Sequence, residues 1–183
     1  MKGYLSLLAA LVLPLSAIAA SVNVTQEARA AEACPDPSTG IPLLRARYEV
    51  SGTHFYTTNA AWMAQIAASD WVPEGTAGLV FPSPALSMVP MYAFYQSGPP
   101  LDWYYTTSAS DKATWDKNTK YADQGIFAYM FSNTGCGGVP FYMLWDPVHQ
   151  VHLFTADQDE RKRVTSMSGG YIEVGIAGYI LPL

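Results

Sequence analysis

The sequence predicts an α+β fold in which three ββαβ repeats close around a pseudo-threefold axis, in the manner of a propeller or a prism. Three short patterns predict this fold, because they recur in the same order at intervals of 48 to 50 residues. The patterns are a proline that opens each repeat (Pro42, Pro90, Pro140), an aromatic and threonine-rich stretch (54–58, 103–107, 152–156) and a glycine-containing stretch (74–78, 124–128, 174–178). Self-similarity at such a period is typical of folds that repeat one supersecondary structure.

The elements of one repeat follow from the residues of its first copy. Residues 43–48 and 54–58 are rich in apolar, β-branched and aromatic side chains, with a Ser-Gly pair between them, and predict two strands joined by a turn. Met63 and Ile66 lie at helical spacing and predict a short helix. Residues 79–81 then predict a third strand. No polar capping repeat follows the third copy, which favours a closed ring over an open solenoid. A β-trefoil, which also has three repeats of this size, is the alternative.

The chain divides into three predicted regions. Lys2 precedes an apolar run that ends in Ala17-Ile18-Ala19, a pattern typical of a secretory signal peptide over residues 1–19. Residues 20–40 are expected to form a flexible lead that contains Cys34. Residues 41–183 are expected to form a single domain, which we divide into segment 1 (41–88), segment 2 (89–138) and segment 3 (139–183).

The signal sequence predicts a secreted, extracellular protein, and the net charge of the chain indicates which classes of partner are disfavoured. The full chain carries a formal charge of −5 and has no basic run, which argues against nucleic acid as a partner. No later apolar stretch reaches the roughly 18 residues of a spanning helix, so no membrane insertion is expected.

Cys34 and Cys136 are the two cysteines of the chain, and in an exported protein they are expected to form a disulfide. Such a bond closes a loop of about a hundred residues and ties the lead to the start of segment 3. Asn23 begins an Asn-Val-Thr sequence and is a predicted glycosylation site if the source is eukaryotic.

Equivalent strand positions supply the candidate ligand-binding residues. Histidine or tryptophan recurs at one position and an aromatic residue two positions later, on the same strand face. These residues are His54, Trp103 and His152, followed by Tyr56, Tyr105 and Phe154. Flat rings beside hydrogen-bonding groups suit sugars, and three linked sites would raise avidity. Packing is the competing interpretation, and for the second trio core and site are equally favoured. Trp71 precedes the glycine stretch and is either pocket wall or core.

The patterns that would indicate catalysis are missing from the sequence. Neither G-x-S-x-G nor H-E-x-x-H occurs. His149 and His152, with Asp146 nearby, are possible metal ligands. The favoured interpretation is that His149 is a solvated loop histidine and His152 is the histidine of the repeat. We therefore expect no catalytic residue, no metal site and no cofactor.

Residues 41–183 resemble a secreted fungal and bacterial tandem-repeat family of unknown function. The family pattern runs Pro-Leu-Tyr, His-Phe-Tyr-Thr-Thr, Ser-Ala-Ala-Glu and Tyr-x-x-Glu-Gly-x-Ala-Gly-Tyr, and residues 54–58 and 74–78 match it best. The aspartate before the histidine survives only as Asp102, and the acid before the glycine survives only as Glu74, with Gln124 in its place in segment 2. The resemblance implies an accessory role in targeting glycans or surfaces. If these positions form a site, it is most complete in segment 1.

The leading hypothesis is a secreted, non-catalytic module that binds carbohydrate or cell-wall polysaccharide multivalently. A secreted protein-binding or effector-like module, acting through loops such as residues 98–100, is the alternative. A small wall-directed hydrolase is the least favoured hypothesis.

Overall fold

The structure, a computed structural model, describes residues 34–183. The predicted signal peptide, most of the lead and Asn23 lie outside the described residues. The strands are β1 (Ile41–Tyr48), β2 (His54–Thr57), β3 (Trp71–Val80), β4 (Met88–Gln96), β5 (Asp102–Thr106), β6 (Ala122–Phe131), β7 (Val139–Asp146), β8 (Val151–Thr155) and β9 (Ile172–Ile180). The helices are α1 (Ala60–Ile66), α2 (Ala109–Trp115) and α3 (Gln158–Ser166).

The strands form two antiparallel sheets of unequal size. One has the order β2-β1-β3, and the other, a half-barrel, has the order β5-β4-β6-β9-β7-β8. The predicted α+β fold of three repeats around a pseudo-threefold axis is therefore wrong, and so is the β-trefoil alternative. Residues 34–183 are 47% strand and contain three short helices. β6 pairs with β9 between Phe131 and Tyr179, which merges segments 2 and 3 into one sheet. The β3 region meets that sheet only through isolated bridges, such as the one between Leu79 and Leu181.

The third strand of each segment is much longer than the sequence predicted. β3 begins at Trp71 and runs for ten residues, past a glycine that had been expected to precede the strand. Gly75 has φ +94° and lies where the register between β1 and β3 shifts, and Gly125, with φ +79°, does the same between β4 and β6. An extra residue in one strand forms a β-bulge, and glycine accepts the positive φ that some bulges require. These glycines therefore bend strands instead of ending turns.

The helices are short, and each begins at a side chain that caps its first turn. Asn59, Ser108 and Asp157 accept hydrogen bonds from backbone N–H groups of α1, α2 and α3 respectively. Such caps satisfy donors that have no partner inside the helix. None of the helices in residues 34–183 is long and apolar enough to cross a membrane.

Three rings from the second strands of the segments meet in the centre of the core. Tyr56, Tyr105 and Phe154 are at most 2% exposed, and their ring centroids lie 5.3 to 5.9 Å apart in edge-to-face pairs. The Tyr105 hydroxyl donates to the Tyr56 carbonyl at 3.2 Å and accepts from its N–H at 3.0 Å. The Tyr56 hydroxyl likewise donates to the Phe154 carbonyl and accepts from the Phe154 N–H. The two tyrosines are thus structural residues that join neighbouring strands.

The predicted disulfide is present in the structure. Cys34 and Cys136 are bonded, with their Cα atoms 5.5 Å apart. Cys136 ends a short 3-10 turn, Thr134–Cys136, that precedes β7. The bond therefore fixes the start of the described chain beside the start of segment 3.

Candidate functional site

Three cavities each lie between two segments, where the second strand of one segment is close to the helix of the other. The aromatic pocket, between segments 1 and 2, measures about 270 Å³ and is lined by Phe55, Trp62, Ile66, Trp71, Tyr95, Trp103 and Gln124. The amide pocket, between segments 2 and 3, measures about 650 Å³ and is lined chiefly by Gln96, Trp115, Asn118, Tyr121, Trp145, Gln150 and His152. The charged pocket, between segments 3 and 1, measures about 440 Å³ and includes Arg47, His54, Glu74, Glu160, Arg163 and Tyr171.

Each cavity is lined by one of the three residues predicted at the His/Trp strand position and by an aromatic residue of another segment. These are His152 and Tyr121 in the amide pocket, Trp103 and Trp71 in the aromatic pocket, and His54 and Tyr171 in the charged pocket. Sequence reasoning had assigned these residues to sites within single segments. The structure instead builds each pocket from two segments.

The amide pocket contains a histidine in a fixed orientation. The Asp102 carboxylate is fully buried and receives the His152 backbone N–H at 2.8 Å, the His152 Nδ1 at 2.6 Å and the Tyr121 hydroxyl at 2.7 Å. Three donors converge on one carboxylate, which places a proton of His152 on Nδ1, and in the neutral imidazole Nε2 is then an acceptor. Nε2 makes no hydrogen bond to the described residues, yet it is not among the buried atoms without a partner. It is therefore accessible from the pocket.

Tyr121 completes this arrangement as a donor. Burial and the Asp102 carboxylate raise the pKa of Tyr121, so its hydroxyl stays protonated at ordinary pH. The two partners together hold the Asp102 carboxylate in place without any contribution from solvent.

Aromatic and amide groups surround the imidazole. The Trp145 ring lies 4.6 Å from the His152 ring, and Trp115 meets the Tyr121 ring edge-on at 4.5 Å. Asn118 and Gln150 line the same cavity, and each amide offers both donors and acceptors. The amide pocket thus offers ring faces beside groups that hydrogen-bond in both directions.

The aromatic pocket is walled almost entirely by rings. Trp62 is 43% exposed, and its centroid lies 4.8 Å from Phe55 and 6.4 Å from Trp103. Tyr95 packs on Trp103 at 4.5 Å. Gln124 supplies the one amide among the lining residues. The aromatic pocket therefore favours stacking over hydrogen bonding.

The charged pocket is organised around a partly buried arginine. Arg45 binds Glu160 through two hydrogen bonds at 2.7 and 2.9 Å, and its Nε lies 2.8 Å from Glu74. His54 Nε2 lies 3.5 Å from Glu74. Burial, followed by the charges of Arg45 and Arg47, lowers the pKa of His54 to about 3, so this imidazole is neutral at ordinary pH.

A family model described as a domain of unknown function (DUF5648) matches residues 39–181. The chain belongs to the DUF5648 family. The match spans the lining residues of all three pockets, so the pockets are features of the DUF5648 domain itself. No curated protein and no solved structure matches the chain.

Most of the sequence-predicted residues line a pocket of the DUF5648 domain. His54 and Glu74 lie together in the charged pocket, Trp71, Trp103 and Gln124 in the aromatic pocket, and His152 in the amide pocket with Asp102 directly behind it. Tyr56 and Tyr105 are buried in the core and reach none of the three cavities.

Asp146, His149 and His152 do not converge on one point. His149 Nδ1 lies 2.6 Å from Asp146, whereas His152 Nδ1 is held by Asp102. Within residues 34–183, no three histidine, cysteine or acidic side chains form a group that could hold a metal ion.

Sequence reasoning missed several residues of the amide pocket and the arginine that binds the glutamates of the charged pocket. Trp115, Asn118, Trp145 and Gln150 lie outside the repeated patterns, so comparing the copies could not find them. Arg45 lies on a predicted strand but binds a glutamate 115 residues away.

Proposed function

We propose that this DUF5648 chain is a secreted, non-catalytic module that binds carbohydrate, with the amide pocket as its principal sugar site. The observation that carries this proposal is the His152 imidazole, which Asp102 holds with one acceptor open to a tryptophan-lined cavity. Small-molecule sites combine apolar or aromatic walls with a few fixed polar groups. A sugar requires both, since its C–H faces pack on rings while its hydroxyls need partners.

The polar groups of the amide pocket suit hydroxyls in particular. His152 Nε2 accepts a hydrogen bond, whereas the Asn118 and Gln150 amides can both donate and accept. A hydroxyl is itself both donor and acceptor, so it can bond to either kind of partner. The two amides are uncharged, and Lys120, the charged residue of the lining, is exposed so that solvent and salt screen its charge, which favours a neutral sugar at this pocket.

Cell-wall polysaccharide is the proposed natural ligand because it presents repeated sugars. The aromatic pocket offers a second stacking surface through Trp62 and Trp103, on the same domain as the amide pocket. Linked weak sites on one domain raise the overall avidity without any new contact. A polymer that reaches both pockets gains from both.

A hydrolase is less well supported, because glycoside hydrolysis needs a carboxyl group that stays protonated. Glu74 and Glu160 are the paired carboxylates of the charged pocket, and both bind Arg45. Burial raises the pKa of Glu160, but the hydrogen bonds from Arg45 and Thr155 and the nearby positive charges together lower it below the usual value. Turnover of wall polymers that is lost in Glu74→Gln would support the hydrolase instead.

A protein-binding module is the second candidate, and one surface favours it. Ile172, Val174 and Ile176 alternate along β9 and are 56%, 54% and 47% exposed. Apolar side chains exposed in a row are typical of interaction surfaces. A Val174→Lys substitution that abolishes binding to a purified protein partner, and leaves glycan binding unchanged, would favour this candidate.

A glycan array followed by calorimetry tests the proposal. The wild-type chain should bind a set of neutral oligosaccharides, and Trp145→Ala should weaken that binding by about tenfold or more, as expected for a central aromatic contact. Gln150 has φ +57°, so Gln150→Gly removes the amide without straining the backbone and should also weaken binding. Val148→Ala, an exposed change in the same turn, is the control. Absence of glycan binding by the wild type would refute the proposal.

A further inference from the structure

Three of the four carboxylates that line the charged pocket are already bound by the protein. Arg45 binds Glu74 and Glu160, and Asp146 accepts from the backbone N–H groups of Val148 and His149 and pairs with the His149 ring. A cationic ligand would have to displace these internal donors. The acids of the pocket therefore do not define its ligand.

Two arginines at the mouth of the pocket have donors to spare. Arg47 is 41% exposed and approaches Glu74 only to 3.6 Å, and Arg163 is 66% exposed and approaches Glu160 only to 3.7 Å. Neither guanidinium donates a hydrogen bond to the described residues. An arginine fork binds carboxylate and related anions through parallel hydrogen bonds. Glu49 also lines the mouth but is exposed, so solvent and salt screen its charge.

An unsatisfied acceptor lies deeper in the same pocket. His54 is 6% exposed, and its Nδ1 is a buried atom without a hydrogen-bond partner in the described residues. The equivalent atom of His152 is bound by Asp102, the residue before Trp103, whereas Val151 occupies the corresponding position for His54. With its proton on Nε2 towards Glu74, His54 keeps a free acceptor at Nδ1, which a ligand hydroxyl reaches once the side chains that cover it move.

We infer that the charged pocket is a second ligand site and that it binds an acidic sugar, with the anionic group on Arg47 and Arg163 and a hydroxyl on His54. This inference rests on the proposed carbohydrate-binding function and assigns a different sugar class to a different pocket. Neutral sugars bind in the amide pocket, and uronic acids bind in the charged pocket. A mixed polysaccharide that contains both would occupy the two sites together.

Calorimetry of the full-length chain with a galacturonic-acid trimer tests the inference, and the fully methyl-esterified trimer is the uncharged probe. The acidic trimer should bind, the ester should bind about tenfold more weakly, and added salt should weaken only the former. Arg47→Gln with Arg163→Gln should reduce affinity for the acidic trimer by about 10- to 100-fold, and Arg163→Gln alone by less. Lys162→Gln is the matched control, because Lys162 is a 73% exposed cation of α3 that does not line the pocket.

Several results would overturn the inference. Equal affinity for the acidic and esterified trimers, or equal effects of the arginine and Lys162 substitutions, would show that the arginines do not read the charge. Acidic-trimer binding that is lost in Trp145→Ala but kept in the arginine variants would place the acid in the amide pocket. If neutral glycans bind and the acidic trimer does not, this inference fails while the proposed function stands.

Discussion

Tyr56→Phe removes a single buried hydroxyl that joins two strands of the core. The hydroxyl donates to the Phe154 carbonyl and accepts from the Phe154 N–H, and the ring is 2% exposed. Phenylalanine preserves the ring, so the loss is confined to these two hydrogen bonds. Each buried backbone group left without a partner costs about 1–3 kcal/mol, which gives about 2–6 kcal/mol for the pair. In a domain of this size the melting temperature should fall by about 4–24 °C.

Differential scanning calorimetry and urea unfolding measure this change. Tyr105→Phe should behave similarly, because its hydroxyl makes the equivalent bonds to Tyr56. Tyr129→Phe is the control, since the Tyr129 hydroxyl makes no hydrogen bond to the described residues, and its effect should stay within about 0.5 kcal/mol. If Tyr56→Phe costs no more than the control, the hydroxyl contacts do not hold the core together.

Three further predictions concern the disulfide and the charged pocket. The Cys34→Ser, Cys136→Ser double variant should lose up to about 4–5 kcal/mol in urea unfolding, because the bond closes a loop of 102 residues; an unchanged midpoint would contradict this. Burial lowers the pKa of His54 to about 3, so the unfolded chain takes up a proton near pH 6.5 that the folded chain does not, and stability should fall as the pH drops from 6.5 to 5. Thermal melts of His54→Gln should show a flatter pH dependence across this window, and equal slopes would refute the buried neutral imidazole. Arg45→Met should lower the free energy of unfolding by about 3–5 kcal/mol, because it leaves two partly buried carboxylates unpaired. Adding Glu160→Gln should recover part of that loss in the same assay, and no recovery would count against the pairing.

Local structure was predictable because it depends on neighbouring residues. Met63 and Ile66 predicted a short helix, and α1 spans Ala60–Ile66. Residues 43–48 and 54–58 correspond closely to β1 and β2. The disulfide followed from cysteine number and compartment. These features require no knowledge of how distant parts of the chain meet.

The sheet arrangement was not predictable from the repeated patterns. Similar patterns in three segments suggested equal contacts among them, but β6 pairs with β9 while the β3 region makes only isolated bridges. Which third strands pair depends on backbone register, which the patterns do not encode. Gly75 and Gly125 lie inside the third strands, because glycine accepts the positive φ of a bulge as readily as that of a turn.

The candidate site was half predictable for a similar reason. Aligning the segments identified His54, Trp103 and His152, and each lines a pocket. It could not show that Asp102 of segment 2 is hydrogen-bonded to His152 of segment 3, because the two residues are 50 positions apart in the sequence. Nor could it separate Tyr56 from the pocket-lining rings, since an aromatic residue suits a core and a site equally well.

Nitrogen NMR of the His152 ring during a glycan titration tests the central claim most directly. The protein is labelled with ¹⁵N and titrated with the neutral oligosaccharide that gives the strongest signal on the array. The account predicts that Nε2 of His152 shifts on saturation, as a ligand hydroxyl donates to it, while Nδ1 keeps the signature of its bond to Asp102. A saturated complex in which the Nε2 resonance is unchanged would contradict the assignment of the amide pocket as the sugar site.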